Sequence, residues 1–376
     1  MAGASDAMTN LRGAMVFLAV AVFGIAVPVY WLGETADRWL FTQVSYTNSP
    51  QFDAKLAALK ADADEWNLIV SGSSEVRWGV NPDKLDEAFN SAANGVTVRS
   101  FNLGLDGFAP GLTYTLLKHG RILAESNQPR VLLIGLNLAE PIAIVSLEYA
   151  PDSCGELKKP ILTSPFAIDT GLNVICEDPE DLSLSESLLR RIKLLNYRKP
   201  IRALVTGQEL PELSSDITDR GFQPYPPAGA DYYVTFEADQ ARMRREEPER
   251  YASLPDHIWP NAAADGGALD EFLALGEELG VTVGFFFLPT NPVYFDTFGK
   301  IATVEENRRL MREWADSRGA LFIDLGIKRE YDPNVDYADF RHLSGLGADR
   351  FSGEMGKALA QDAEIKALLA SNSEHR

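Results

Sequence analysis

Histidine and cysteine are the scarce residues of this chain, four of the former and two of the latter among 376. Two cysteines, Cys154 and Cys176, cannot supply the ligand set of a zinc module, and no His/Cys cluster has metal-ligand spacing. Walker and dinucleotide glycine motifs are missing too, so no metal and no cofactor is expected. Positive charge is short as well: 35 Lys and Arg stand against 54 Asp and Glu, a net charge of −19. Nucleic-acid binding works through basic clusters that release counterions, and this balance argues against it. There is no internal repeat and no low-complexity tract. What remains is ordinary globular composition, 45% hydrophobic and 24% charged, in a chain long enough for one large domain or two ordinary ones.

One stretch lacks charge altogether. Gly13 to Gly33 (GAMVFLAVAVFGIAVPVYWLG) has the roughly 20 apolar residues that span a bilayer. Tyr30 and Trp31 stand at its far end, where amphipathic rings favour the membrane interface. The run is longer than a signal-peptide core and no small-x-small cleavage site follows it. Arg12 and the amino terminus precede it, while Glu34 and Asp37 follow, which puts the amino terminus in the cytoplasm. The expectation is a single-pass anchor in the inner (cytoplasmic) membrane, with the remaining chain on the periplasmic, extracytoplasmic side. Cys154 and Cys176 would then meet an oxidising compartment, where a bond between them would contribute roughly 3 kcal/mol in the chain-entropy model; two lone thiols are the alternative.

Beyond the anchor, Glu34–Glu65 reads as a stalk or first helix, with Phe52, Leu56 and Leu59 as its apolar positions. Short apolar runs then alternate with helical patterns. The strands are expected at Asn67–Gly72, Val96–Leu103, Arg130–Leu136, Val281–Leu288 and Ala320–Leu325. Helices are expected at Pro82–Asn90, Gly111–Ser126, Ala268–Leu279, Val304–Arg318 and Gly347–Ala370. Such alternation, with strands apolar throughout, predicts an α/β fold: a parallel five-stranded sheet covered on both faces, a three-layer α/β/α sandwich.

Between Pro141 and about Asn261 the alternation breaks. This stretch holds both cysteines, many prolines and one strong helical pattern, Leu182–Asn196. Emerging from the carboxyl edge of the third strand, it reads as an insertion or lid. Within it Arg190–Arg202 carries six basic residues and no acidic one, beside an apolar face of Leu184, Leu188, Ile192 and Leu195. An interfacial or docking helix is one reading; a solvated basic face balanced by Glu177, Asp178 and Glu180 is the other, and is preferred. The predicted organisation is an anchor at 1–33, a stalk at 34–64, a sheet domain at 65–142 and 262–376, and the insertion at 143–261.

In Asn67–Gly79 (NLIVSGSSEVRWG) an apolar strand runs into the turn Gly72-Ser73-Ser74. A serine there stands at the sheet's carboxyl edge, where open α/β folds hold ligands. Ser74 is the candidate nucleophile and Ser73 its rival, although Gly-Ser-Ser is also ordinary turn chemistry. A serine nucleophile needs a base, a group to orient that base, and donors for the oxyanion. The four histidines leave little choice. His375 is in the tail, His119 is inside a helical pattern, and His257 is in a turn of the insertion. His342 follows Asp339 by three residues in YADFRHLSGLGADRFS, just before the last helix, so one loop can supply base and orienter. Tyr294 and Phe295, at the end of the fourth strand, read as packing, with a sugar platform as the alternative.

With these residues in order along the chain, the sequence resembles the SGNH (GDSL-type) hydrolase superfamily. The nucleophile turn of that family corresponds to Gly72-Ser73-Ser74, and its oxyanion glycine to Gly107 in FNLGLDGF, with Gly104 as the alternative. Its Gly-x-Asn block corresponds to Gly135-Leu136-Asn137, and its Asp-x-x-His block to Asp339–His342. The match covers roughly residues 65–142 and 262–372. Ser73 stands where the family has an aspartate, and so does Leu138. Such departures look like those of the membrane-anchored, polysaccharide-modifying branch that includes DltD-like and alginate-acetylation-type proteins. The resemblance implies an SGNH/flavodoxin-like fold with a Ser74–His342–Asp339 triad, and an oxyanion hole from the Ser74 and Gly107 N–H groups and the Asn137 amide. It implies an esterase or O-acyltransferase, favouring acetyl transfer to or from a cell-surface or exported polysaccharide, with small acyl esters as further substrates. No G-x-S-x-G elbow surrounds Ser74, which disfavours the α/β-hydrolase fold. A second class of expectation is a non-catalytic scaffold for a membrane acyltransferase or export complex, which a Ser74 and His342 lying apart would favour.

Overall fold

Five apolar runs form one all-parallel sheet: β1 (Leu68–Ser71), β2 (Ser100–Asn102), β3 (Val131–Asn137), β4 (Thr282–Leu288) and β5 (Leu321–Ile323), in the order β2-β1-β3-β4-β5. This is a computed structural model, and it describes residues 24, 27–32, 35, 50–62, 65–105, 110–118, 123, 131–137, 202–203, 205–207, 216–227, 267–293, 301–339 and 341–370. The chain divides into two compact units, residues 1–53 with 158–213 and residues 54–157 with 214–376; the sheet belongs to the second. Most of the Gly13–Gly33 run lies outside the described residues, as do Cys154, Cys176, the Leu182–Asn196 pattern, nearly all of the basic stretch, and His119, His257, His375, Tyr294 and Phe295. Residues 27–32 are helical, with Tyr30 and Trp31 exposed. Among the described residues no helix is long and apolar enough to cross a membrane.

Strand side chains alternate between two faces, and each face has its own core. Leu68, Val70, Val131, Leu133, Phe286 and Leu288 pack on one side with residues of α3 (Pro82–Ala92), α7 (Gly345–Gln361) and α8 (Ala363–Ala370). Ile69, Leu132, Ile134, Phe285 and Phe287 pack on the other with residues of α4 (Pro110–Lys118), α5 (Ala268–Leu279) and α6 (Ile301–Arg318). Leu59 of α1 (Pro50–Ala61) joins this second cluster. Continuous apolar runs are what a strand buried on two sides requires. Burying one such Phe or Leu contributes about 1.5–3 kcal/mol.

Helix boundaries follow local chemistry. Asn81 caps α3, its side chain accepting from the Asp83 N–H with Pro82 at the first turn. Gly280, in the left-handed region, ends α5. The last helical pattern starts at Gly345 rather than Gly347, because Ser344 caps it, and it breaks at Asp362. The Asp362 carboxylate accepts from the Glu364 and Ile365 N–H groups and so opens α8. β2 is shorter than its apolar run because side chains take over its backbone groups. Asn90 bonds both polar groups of Val98, and Asn67 accepts from the Arg99 N–H while donating to the Thr97 carbonyl.

Residues 216–227, within the stretch read as an insertion, meet the outer edge of β2 at one point, where the Asn102 N–H donates to the Arg220 carbonyl at 2.9 Å. Arg220 also reaches Asp86 Oδ2 at 2.7 Å and Asp83 Oδ1 at 3.0 Å, and Asp86 accepts from both the N–H and the hydroxyl of Ser100. Burial pushes the Asp86 carboxyl up to about 6, against the opposing pull of Ser100 and Arg220. The native state therefore holds this proton more tightly than the unfolded chain, and stability from this group falls as pH rises from about 4 to 6. A shift of this size corresponds to about 3 kcal/mol. Urea unfolding at pH 4.5 and 7.5 is expected to show the advantage of wild type over Asp86→Asn shrinking at the higher pH by up to that amount.

Candidate active site

The strand order fixes where a site can form. From β1 the chain goes to β2 on one side and then to β3 on the other, so the crevice opens at the carboxyl ends of β1 and β3. Ser71 ends β1 opposite Ile134 of β3. Gly72 then turns the chain with φ +153°, and a Cβ there would stand 2.5 Å from Val76 Cγ2; glycine is required. Ser73 caps the following helix, α2 (Ser74–Gly79), its hydroxyl accepting from the Glu75 N–H at 3.3 Å and donating to Glu75 Oε2 at 3.4 Å. Ser74 is the first residue of α2, and a helix leaves its first N–H groups without intrahelical acceptors.

Ser74 Oγ lies 2.8 Å from His342 Nε2, and His342 Nδ1 lies 2.6 Å from Asp339 Oδ2. An ionised carboxylate only accepts, so Nδ1 carries the proton and Nε2 faces the serine as an acceptor. The other carboxylate oxygen, Oδ1, accepts from the backbone N–H groups of Arg341 and His342, both at 2.7 Å. Burial pushes the Asp339 carboxyl up, yet the His342 bond and these two N–H groups outweigh it and hold the group below its ordinary value. Asp339 thus stays ionised wherever a neutral imidazole can act as base.

The loop carrying Asp339 and His342 is pinned on both flanks. The Asn291 side chain, after β4, donates to the Asp339 carbonyl at 3.2 Å, and the Tyr337 hydroxyl donates to the Thr290 carbonyl at 3.2 Å. The Ala338 N–H donates to the His342 carbonyl at 2.8 Å, closing the loop on itself. Ser344 bonds back to the Val335 and Asp336 carbonyls. At Arg341 burial pushes the guanidinium down, and the Glu75 charge opposes it. Trp78, one helical turn after Ser74, meets the His342 ring edge-on at 4.5 Å between centroids; the Tyr225 ring packs on Trp78 at 4.5 Å. Arg77 bonds Gln223, from the same 216–227 segment as Tyr225, and the Gly345 N–H donates to the Tyr225 carbonyl at 2.8 Å.

Comparison with models of known protein families finds no match, and no curated protein matches the chain. The chemistry is therefore read from the geometry. Ser74, His342 and Asp339 are brought together in one hydrogen-bonded line. Ser73 is not part of it, since its hydroxyl is engaged in capping. Asn137 ends β3 beside Leu288, with its side chain outside the described residues, and Gly107 lies outside them altogether. Gly104 is not a free donor: its N–H donates to Asn102 Oδ1 at 2.9 Å. Among the described residues no group of three His, Cys, Asp or Glu side chains gathers to hold a metal ion.

Several residues of the site carried weaker signals in the sequence. Trp78 is at i+4 from Ser74 and so shares its helix face, a spacing visible without a structure. Asn291 follows the fourth strand in LPTNP. Tyr225 and Gln223 sit in a proline-rich stretch with no periodicity. Lys55 and Asn102, which underlie the nucleophile, had no signal beyond ordinary helix and strand-end chemistry.

Proposed function

We propose that the protein is a membrane-anchored, extracytoplasmic SGNH-type serine esterase or O-acyltransferase, acting on acyl groups, acetyl above all, of a cell-surface or exported polysaccharide. The observation that carries this reading is the Ser74–His342–Asp339 line, with heavy-atom separations of 2.8 and 2.6 Å. His342 takes the Ser74 proton as Oγ attacks the acyl carbonyl, and Asp339 holds the imidazole tautomer and stabilises the imidazolium. The Ser74 N–H, with Gly107 and Asn137 as further donors, receives the oxyanion; one such donor contributes about 2.7–4 kcal/mol to the transition state. The alcohol leaves with the proton returned by His342, and water or a sugar hydroxyl resolves the acyl-enzyme. The uncharged Gly13–Gly33 run supplies the anchor, and the departures at Ser73 and Leu138 support the polysaccharide-modifying branch. A separated Ser74 and His342 would have favoured the scaffold reading; the 2.8 Å contact supports the enzyme instead.

Fluorophosphonate labelling tests this directly. The wild-type protein is expected to be labelled, and Ser74→Ala and His342→Ala to lose the label. An unlabelled, folded wild type would remove the serine-enzyme reading. In the same preparation, acetyl-donor turnover with and without oligosaccharide separates the two chemistries, a rate independent of sugar assigning hydrolysis.

A further inference from the structure

Lys55 is completely buried (0% exposed), an uncommon place for a lysine. It lies on α1, in the stretch that the sequence presents as a stalk. Its ammonium donates to the Asn102 carbonyl at 3.0 Å, to Asn102 Oδ1 at 3.2 Å and to the Gly104 carbonyl at 2.5 Å. Asn102 is also wholly buried. Its Oδ1 faces two donors, Lys55 and the Gly104 N–H. Its Nδ2 faces the carbonyls of Val76, Arg77 and Val80, at 2.8, 3.3 and 2.6 Å. Val76 and Arg77 lie within α2, whose first residue is Ser74, and Val80 is its C-cap.

A six-residue helix has no stability of its own, because nucleation outweighs so few bonds. The position of Ser74 is set by what holds α2 at each end. Ser73 caps the front, and Asn102 gathers the carbonyls at the back. Gly104 presses against the α2 backbone so closely that a Cβ there would stand 2.4 Å from the Arg77 nitrogen. A charged donor to Oδ1 polarises the amide and strengthens donation from Nδ2. Lys55 therefore acts on α2 through the Asn102 amide and on the loop after β2 directly, through the Gly104 carbonyl.

We propose that Lys55 is a positioning residue for the nucleophile: through Asn102 and Gly104 it locks α2 and the start of the loop after β2, Leu103–Leu105, into one register. The proposal rests on Ser74 being the nucleophile. A displacement of about 1 Å at a reacting group can cost 100-fold in rate, so the effect falls on turnover rather than on substrate affinity. The pH profile stays in place, because the His342–Asp339 bond is untouched.

The test uses the full-length protein, with fluorophosphonate labelling and p-nitrophenyl acetate hydrolysis expressed per folded molecule. Two variants are compared, Lys55→Met and the isosteric Asn102→Asp. The latter keeps an acceptor for Lys55 but turns a carboxylate toward three carbonyls. Both are expected to label at least tenfold more slowly and to lose kcat by a similar factor. KM should stay within about twofold and the pH midpoint should not move. Rates per folded molecule within twofold of wild type in both variants would overturn the proposal. So would loss of folding in both, which would make the pair purely structural. A wild type that fails to label, or a Ser74→Ala protein that still labels, refutes the nucleophile assignment instead and is distinguishable from either result.

Discussion

Ser74→Ala and His342→Ala are each expected to lower kcat by roughly 10⁶-fold, and the double variant no further. The reason is the geometry of a shared proton. Ser74 Oγ and His342 Nε2 meet at 2.8 Å, so either residue without the other loses the same step. An alanine at 74 leaves a base with nothing to deprotonate, and an alanine at 342 leaves a hydroxyl that stays protonated at neutral pH. Two independent contributions would instead multiply. The measurement is steady-state hydrolysis of an activated ester by the three variants beside wild type. A double variant a further thousandfold below either single one would mean that the two side chains act separately.

Asp339→Asn is the second large effect, with an expected loss of about 10⁴-fold in kcat at neutral pH. The size comes from tautomer chemistry rather than from misfolding. The carboxylate accepts from His342 Nδ1 at 2.6 Å, which forces the proton onto Nδ1 and leaves Nε2 bare for the serine. An asparagine that turns its NH₂ toward Nδ1 reverses this, and the proton then sits on Nε2, facing Ser74. The Oδ1 side matters as well, since it orders the loop by accepting from the Arg341 and His342 N–H groups. The amide oxygen of asparagine can retain those two bonds. Thermal unfolding close to wild type beside the kinetic loss is therefore the expected pair of results. A drop in kcat of less than tenfold would show that Asp339 does not set the tautomer.

The parts legible in the sequence were those governed by short-range pattern. Five apolar runs between helical periodicities marked the strands to within a few residues, because a strand buried on both faces has to be apolar along its length. Asp339 and His342 were legible because one short loop carries both, and Ser74 because a strand runs into a glycine turn before it. What escaped detection depends on long-range partners. A lysine in a helical stretch with polar neighbours reads as solvated, and only the tertiary fold buries Lys55 against Asn102. The break at Asp362 interrupts a continuous helical period with a residue that also suits an exposed helix position. Arg220 meets the β2 edge through its backbone carbonyl, and a backbone partner leaves no trace in side-chain periodicity.

That last pairing has a consequence for how the molecule behaves in company. A parallel sheet ends in two open edges, each a row of unpaired N–H and C=O groups able to recruit a strand from another chain. Both edge strands, β2 and β5, are only three residues long, which limits that exposure. On the β2 side the Arg220 carbonyl already occupies the Asn102 N–H, and the Arg220 side chain is fastened to Asp83 and Asp86. The segment that brings Tyr225 beside Trp78 is therefore also a guard of the β2 edge. Under the proposed function, loosening this segment is expected to disturb the packing beside His342 and to uncover the edge in the same step.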